Sequence, residues 1–345
     1  MTVSWSASML LQLMIGREQH IAPASVSCDA NPSQWLRKKQ GNWLVHCTGS
    51  CCPLHIMSIY RNAIWFLNGI QQYTRKGYAA ASKDFETKDL DVSVVGRSFL
   101  ITGANSGIGK ATAMAIAKKG GTVHMVCRNK DRAEEARTEI VSEFGNAEVY
   151  IHVVDMSQTR KVWEFAEAFK KEHPSLNVLI TVSSGGMLVQ SLRADDLQSE
   201  KGHFDGVMVY AQNKRQQVVL TEHWAKANPV IHFSVMHPGW VDTPAVSAAM
   251  PQFHQMMGDR LRSVDQGADT VVWLALSRAA ARKRSGRFFQ DRKPVPTHLP
   301  LAWTHSSAEE IHSFITQLET LARAVQSRHD ADLRGQTDAS VPQFV

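Results

Sequence analysis

Thr102-Gly103-Ala104-Asn105-Ser106-Gly107-Ile108-Gly109 stands between a short apolar run, Ser98 to Thr102, and a segment of helical periodicity, Ile108 to Lys119. A strand that passes into a helix through three closely spaced glycines leaves few folds open. Gly103 permits a tight turn. Gly107 and Gly109 let backbone and helix come close to a pyrophosphate, and the helix start offers unpaired N–H groups at the positive end of its dipole. A glycine-rich turn without a ligand is the plain alternative, but the strand–turn–helix context is the one that gives such a motif its meaning. Gly103, Asn105, Ser106, Gly107, Ile108 and Gly109 are therefore the expected cofactor-loop residues.

The alternation continues beyond the loop. Gly120-Gly121 stops the first helix, and strands are expected at Thr122–Cys127, Val149–Val154, Val178–Ser183, Val230–Met236 and Gly286–Phe289. Between them lie helical patterns at Asp131–Phe144, Ser157–Lys171 and Val209–Ala227, and the capping box Ser263-Val264-Asp265-Gln266 opens another that runs to Leu276. Strands alternating with helices of this length imply a Rossmann-type, doubly wound parallel sheet flanked by helices. Residues 304–328 read as a further helix and 329–345 as a loose polar tail.

Three side chains carry candidate chemistry. In Tyr210-Ala-Gln-Asn-Lys214 the phenol and the ammonium are four residues apart, on one helix face. A free tyrosine near pKa 10 is a poor proton donor at neutral pH, and an adjacent positive charge is expected to lower it. Ser184, upstream, could hydrogen-bond a substrate carbonyl oxygen. At the end of the second strand, where an acid would hold the 2′-hydroxyl of NAD(H), stands Arg128, which could pair with the 2′-phosphate of NADP(H). NADP(H) is thus favoured, with NAD(H) open. Arg128 as a merely solvated strand-end residue is the bland alternative.

Taken together, the glycine loop, Ser183-Ser184, Tyr210, Lys214 and the turn His237-Pro238-Gly239 with Thr243 resemble the short-chain dehydrogenase/reductase family over roughly residues 95–295. Leu197-Gln-Ser-Glu-Lys201, Gln266-Gly-Ala-Asp-Thr270 and Ser285-Gly-Arg-Phe-Phe289 resemble its retinol-dehydrogenase-like branch. The resemblance implies hydride transfer between nicotinamide and a carbonyl or alcohol, the substrate being a lipophilic small molecule. Tyr210 would be proton donor and acceptor, Lys214 its partner and Ser184 the carbonyl anchor. Thr243 would contact the nicotinamide amide, and Asp155 the adenine, unless Asp155 simply caps the next helix.

One unit of that family is missing. Its members carry an Asn-Asn-Ala-Gly turn after the fourth strand, then a helix with a catalytic Asn, then a fifth strand that delivers the serine. Here Leu176-Asn-Val-Leu-Ile180 begins like the fourth strand and runs directly into Thr181-Val-Ser-Ser184, which ends like the fifth. Only 29 residues separate Asp155 from Ser184. One strand–helix unit is expected to be lacking after residue 180, and the fused strand must take either the fourth place, moving Ser184, or the fifth, leaving a gap beside the cofactor. A chain so shortened could also be catalytically inactive and retain at most cofactor binding or an interaction role.

Composition narrows the remainder. A net charge of +6 over 345 residues with no basic–aromatic stripe gives no reason to expect nucleic-acid binding. Four of the five cysteines lie in the first 52 residues, and adjacent Cys51 and Cys52 make poor tetrahedral ligands beside His46, Cys47 and His55, so no metal site is expected. No run reaches 18 apolar residues, and Ser8 to Ile15 lacks the positive lead-in of a signal peptide. An intracellular setting, cytoplasmic or at a membrane surface, and not a secreted one, is the expectation. The organisation expected is an irregular extension at 1–56, an amphipathic helical segment at 57–91, the nucleotide-binding domain at 92–328 and a flexible tail at 329–345. Residues 57–76 could also meet a membrane surface or a partner. The oligomeric state is left open.

Overall fold

The structure, a computed structural model, describes residues 53–201 and 204–339. The cysteine–histidine cluster before Pro53 and the apolar run Ser8 to Ile15 lie outside the described residues. Helix α1 (Pro53–Gln72) begins four residues ahead of the segment expected at 57. Proline suits a first helical turn, where its missing N–H removes no bond. Helix α2 (Arg75–Ala81) follows, capped by Thr74, whose side chain accepts from the Gly77 N–H.

The α/β alternation follows as β1 (Ser98–Thr102), α3 (Gly107–Lys118), β2 (Thr122–Cys127), α4 (Lys130–Phe144), β3 (Val149–Val153), α5 (Thr159–Glu172) and β4 (Val178–Val182). After a 3₁₀ turn at Gly185–Val189 come α6 (Gly206–Ala227), β5 (His232–Met236), the short helices α7 (Pro244–Ala249) and α8 (Pro251–Met257), α9 (Val264–Leu276) and α10 (Arg278–Ala281). Strands β6 (Arg287–Gln290) and β7 (Lys293–Pro294) and helix α11 (Ala308–Ala339) close the chain. Local signals explain many boundaries. Asn129 caps α4 on the Arg132 N–H, Gly145 ends it at φ 66°, and Ser263 with Gln266 forms the expected capping box. Two expectations need correction. Gln290 leads into a short antiparallel strand, so β6 is not the last. Helix α11 runs on through most of the segment read as a loose tail, because no proline interrupts it before Pro342 and each added residue of an existing helix closes one more bond.

The strands do not form one sheet. β1, β2 and β3 pair in parallel in the order β1-β2-β3; β4, β5 and β6 pair in parallel, with β7 antiparallel at the edge. No ladder hydrogen bond joins β1 to β4. The fused strand therefore takes the place beside β5, and the break falls where the missing unit belongs. Side chains bridge it: Ile180 and Val182 of β4 pack into the cluster built from Val123 and Met125 of β2 with Ala113 and Ile116 of α3 and Val271 and Val272 of α9. On the opposite face α11 supplies Phe314, Ile315, Leu318 and Ala322 to a second cluster with Val162 and Ala166 of α5 and Trp224 of α6.

A row of histidines lies along the outer half-sheet. His124 and His152 approach at 3.1 Å through Nδ1 and Nε2, and His173 stands against His124 with ring centroids 4.8 Å apart. Burial, then the neighbouring His152 and His173, hold the His124 imidazole down at about 4, and burial, then the Arg262 charge, hold His237 at about 3. Both folded values lie below the ordinary 6.5, so the unfolded chain takes up protons first as the pH falls. The melting temperature should therefore be flat above about pH 7 and fall steadily from about pH 6.5 towards pH 4. A melt series across that range checks this, and replacing His124 by Gln should flatten part of the slope.

Candidate functional site

The glycine loop is shaped as its spacing predicts. Gly103 and Gly107 have φ of 67° and 52°, the left-handed region glycine enters without strain. A Cβ on Gly109 would stand 2.3 Å from the Gly103 carbonyl oxygen, so the helix can start this close to the turn only without a side chain there. Ser106 places no side-chain oxygen on the first N–H groups of α3, which leaves them to an anion. The loop is tied to β2 by the Gly103 N–H on the Val126 carbonyl, 2.9 Å, and by the Ala104 and Asn105 N–H groups donating to the Cys127 sulfur. Arg128 follows directly, exposed, and near enough to Asp155 to help lower its carboxyl; the main cause of that lowering is the Ser157 N–H, so Asp155 acts here as a turn cap.

Strand β4 and helix α6 bring the three catalytic candidates together. Asp205 caps α6 by accepting from the Val207 and Met208 N–H groups, and α6 carries Tyr210 and Lys214 one turn apart. Ser184 ends β4. Its Oγ accepts from the Gly186 N–H at 3.1 Å and hydrogen-bonds the Tyr210 hydroxyl. The turn after Ser184 is fixed from behind: the Gly185 N–H donates to His237 Nδ1 at 2.8 Å, and Tyr73, at the end of α1, packs edge-on against the His237 ring at 4.3 Å. Ser183 Oγ donates to the Lys214 carbonyl, stitching strand to helix. Neither His237 nor Tyr73 is marked by spacing as a support for the serine turn; the Pro238-Gly239 turn was the only cue nearby.

Lys214 departs from expectation. Its Nζ lies 5.5 Å from the Tyr210 ring centroid and donates instead to the Val182 carbonyl, 2.9 Å, and to Gln217 Oε1, 3.2 Å. Burial lowers its ammonium to about 8. Tyr210 is pushed up rather than down: burial at its hydroxyl end raises the phenol, and the Ser184 hydrogen bond opposes this. The residue is 47% exposed, and no pull from the lysine offsets the rise. The nearby positive charge expected to acidify the phenol is engaged elsewhere.

The two half-sites meet at the carboxyl ends of the strands. A Cβ on Gly107 would touch the Thr243 methyl at 3.4 Å. Thr243 itself caps α7 by accepting from the Val246 N–H. Fit to a dinucleotide rests on the uncapped helix start and the side-chain-free cradle. Among the described residues no group of three or more His, Cys, Asp or Glu side chains could hold a metal ion, and no helix is long and apolar enough to cross a membrane.

Residues 97–213 match the family model described as "short chain dehydrogenase". Dehydrogenase/reductase SDR family member 12 of Bos taurus is 54% identical over 315 residues, covering 77% of this chain and 99% of the relative. The chain belongs to the short-chain dehydrogenase/reductase family. The Homo sapiens protein of that name is 53% identical over the same length, and human Retinol dehydrogenase 12 is 27% identical over 281 residues, covering 66% of this chain and 88% of the relative. A solved structure described as a putative uncharacterized protein from Mycobacterium Paratuberculosis shares the fold, with a TM-score of 0.50 at 18% identity over 67% of this chain and 95% of that one. The bovine match also measures what this short-chain dehydrogenase lacks. It runs over 315 positions, whereas 77% of 345 residues is about 266, so about 50 positions have no counterpart in this chain.

Proposed function

We propose that this chain is an NADP(H)-preferring oxidoreductase that interconverts a lipophilic carbonyl compound and its alcohol. The observation that carries the reading is the junction of Ser184, Tyr210 and Lys214 beyond the carboxyl end of β4, in a chain that also builds a glycine loop fit for a pyrophosphate. The nicotinamide, when bound, supplies or accepts the hydride. Ser184 would hold the substrate oxygen and Tyr210 would move the proton at that oxygen. The first helical N–H groups of α3 would take the pyrophosphate, and Arg128 the 2′-phosphate. Phe204, just before α6, and Val207 and Tyr210 in its first turns are large apolar or aromatic side chains left exposed, at 60%, 61% and 47%, and these exposed side chains support a lipophilic substrate.

Stereospecific transfer of deuterium from labelled NADPH to a panel of lipophilic ketones and aldehydes tests the reading; an absence of transfer across the panel contradicts it. Replacing Arg128 by Ala should weaken NADPH binding by about tenfold while NADH binding stays within about twofold, the loss of one exposed charge-assisted contact. Equal losses for both would remove Arg128 from the 2′-phosphate.

A second reading is favoured by two features. Lys214 gives its ammonium to Val182 and Gln217, and the sheet is broken beside the loop. In that reading the chain by itself binds cofactor without turning over.

A further inference from the structure

Backbone parity shows which groups line the break between the half-sheets. In β4 the Ser183 N–H donates to Met236 and the Asn177 carbonyl accepts from His232, so odd-numbered residues bond to β5. The even-numbered Val178, Ile180 and Val182 then direct N–H and C=O away from β5, to the open side. In β1 the Gly103 N–H donates to Val126 and the Arg97 carbonyl accepts from Thr122. By the same alternation Ser98, Leu100 and Thr102 direct theirs away from β2. Two strand edges whose backbone groups have no ladder partner thus border the break.

Burial follows the same division. In a doubly wound sheet the central strands are the driest. Here β2 and β5 are buried along almost their whole length, whereas none of the five residues of β1 is buried and the even-numbered residues of β4 are only half-buried. β1, which a doubly wound sheet would enclose, thus has no buried residue, and β4 is buried only at alternate positions. The two half-sheets stay together around the break: Phe99 and Ile101 of β1 and Ile180 and Val182 of β4 pack on one cluster, and a Cβ on Gly107, after β1, would stand 3.4 Å from the methyl of Thr243, beyond β5. The Val182 carbonyl, on the open edge, is the one that Lys214 has taken. Finally, the bovine relative has about 50 positions absent from this chain.

We propose that the break between β1 and β4 is a strand-acceptor slot, which takes an extended apolar segment of another chain, about five residues long and parallel to β1 and β4. Its natural chemistry is that of the strand the intact relative carries. The occupant's N–H groups would donate to the carbonyls of the two edges, that of Val182 in place of its present bond from Lys214. Resting on the oxidoreductase reading, a consequence follows: with its carbonyl paired to the incoming strand, Val182 releases Lys214 towards Tyr210. Edge strands elsewhere avoid such pairing by charge or cover; neither edge of this slot carries a charged residue.

Amide hydrogen exchange on the full chain tests the slot. The probe is a synthetic peptide of the bovine relative spanning its unmatched positions with five residues on either side, and the control is the same peptide with two prolines in its first strand. In the chain alone, the amides of Leu100, Thr102, Ile180 and Val182 should exchange at least about tenfold faster than those of Ile101, Gly103, Thr181 and Ser183. The peptide should slow the first set by about tenfold or more, and the proline control should not. Equal protection of both sets in the chain alone overturns the slot, as does no change with the peptide or the same change with the control. Protection that depends on chain concentration, or that vanishes in a chain starting at Met57, assigns the slot to a second copy or to the chain's own first residues and overturns the stated occupant. All of these readings are independent of turnover. Absence of deuterium transfer even with the peptide bound, while the amides are protected, defeats the oxidoreductase reading alone.

Discussion

Tyr210→Phe should lower turnover by about 10²- to 10⁴-fold, the usual contribution of a positioned proton donor. The ring stays, so its place beside the Ser184–Gly186 turn is retained and the melting temperature should move by no more than about 1–2 °C. The Michaelis constant should change little, because the phenol's proton counts in the transition state rather than in binding. Lys214→Met should produce a comparable loss in turnover, with a raised pH requirement if the lysine reaches Tyr210 during the reaction. Steady-state rates with NADPH and the best carbonyl from the panel decide it. Unchanged turnover in Tyr210→Phe would remove the tyrosine from the reaction and leave the arrangement as a fold feature only.

Arg262→Ala should cost about 3–5 kcal/mol of stability, because it leaves the Asp291 carboxylate buried without its partner. The guanidinium is 1% exposed at the side chain and the carboxylate 8%, and they pair through two bonds of 2.7 and 2.9 Å. Arg262 also donates to the carbonyls of Gln72, Thr74 and Pro238. One residue thus ties the end of α1 and the start of α2 to the Pro238-Gly239 turn and to the β6–β7 hairpin. A Cβ on Gly239 would stand 2.4 Å from its Nε, so the turn and the arginine are packed as one. For a domain of this size the melting temperature should drop by about 10 °C or more. Arg262→Lys should recover little, since an ammonium cannot reproduce the fork that reaches the carboxylate and the carbonyls together. A shift of under about 2 °C for Arg262→Ala would show that α1 and α2 are not anchored this way.

Much of this architecture is legible in the chain. Period-two and period-3.6 patterns place β1 to β6 and α3 to α6 within a few residues, because each element has a clear stop: Gly120-Gly121 after α3, Gly145 after α4, the Ser263 capping box before α9. The glycine loop is legible because only glycine tolerates its backbone and its closeness to the helix. Even the missing unit is legible, as a shortage of residues between Asp155 and Ser184. Which place the fused strand takes is not, since Val178 to Val182 is equally apolar for either neighbour; pairing with β5 is a tertiary outcome. The lysine's turn towards Val182 is invisible for the same reason. An i, i+4 spacing puts Tyr210 and Lys214 on one face but says nothing of a carbonyl left free by an absent strand. The Arg262–Asp291 pair joins residues whose patterns are those of ordinary solvated charges, and the closeness of His237 to Gly185 depends on how α1 folds back over the serine turn.

The central claim is that the divided sheet still builds a working cofactor site, and the thermal melt of the full chain with and without NADPH tests it most directly. A ligand at a hundred times its Kd adds about 2.7 kcal/mol to the folded state. The account predicts one cooperative transition that rises by about 5–10 °C with saturating NADPH and less with NADH at the same concentration. A melt that does not move with either nucleotide would contradict it.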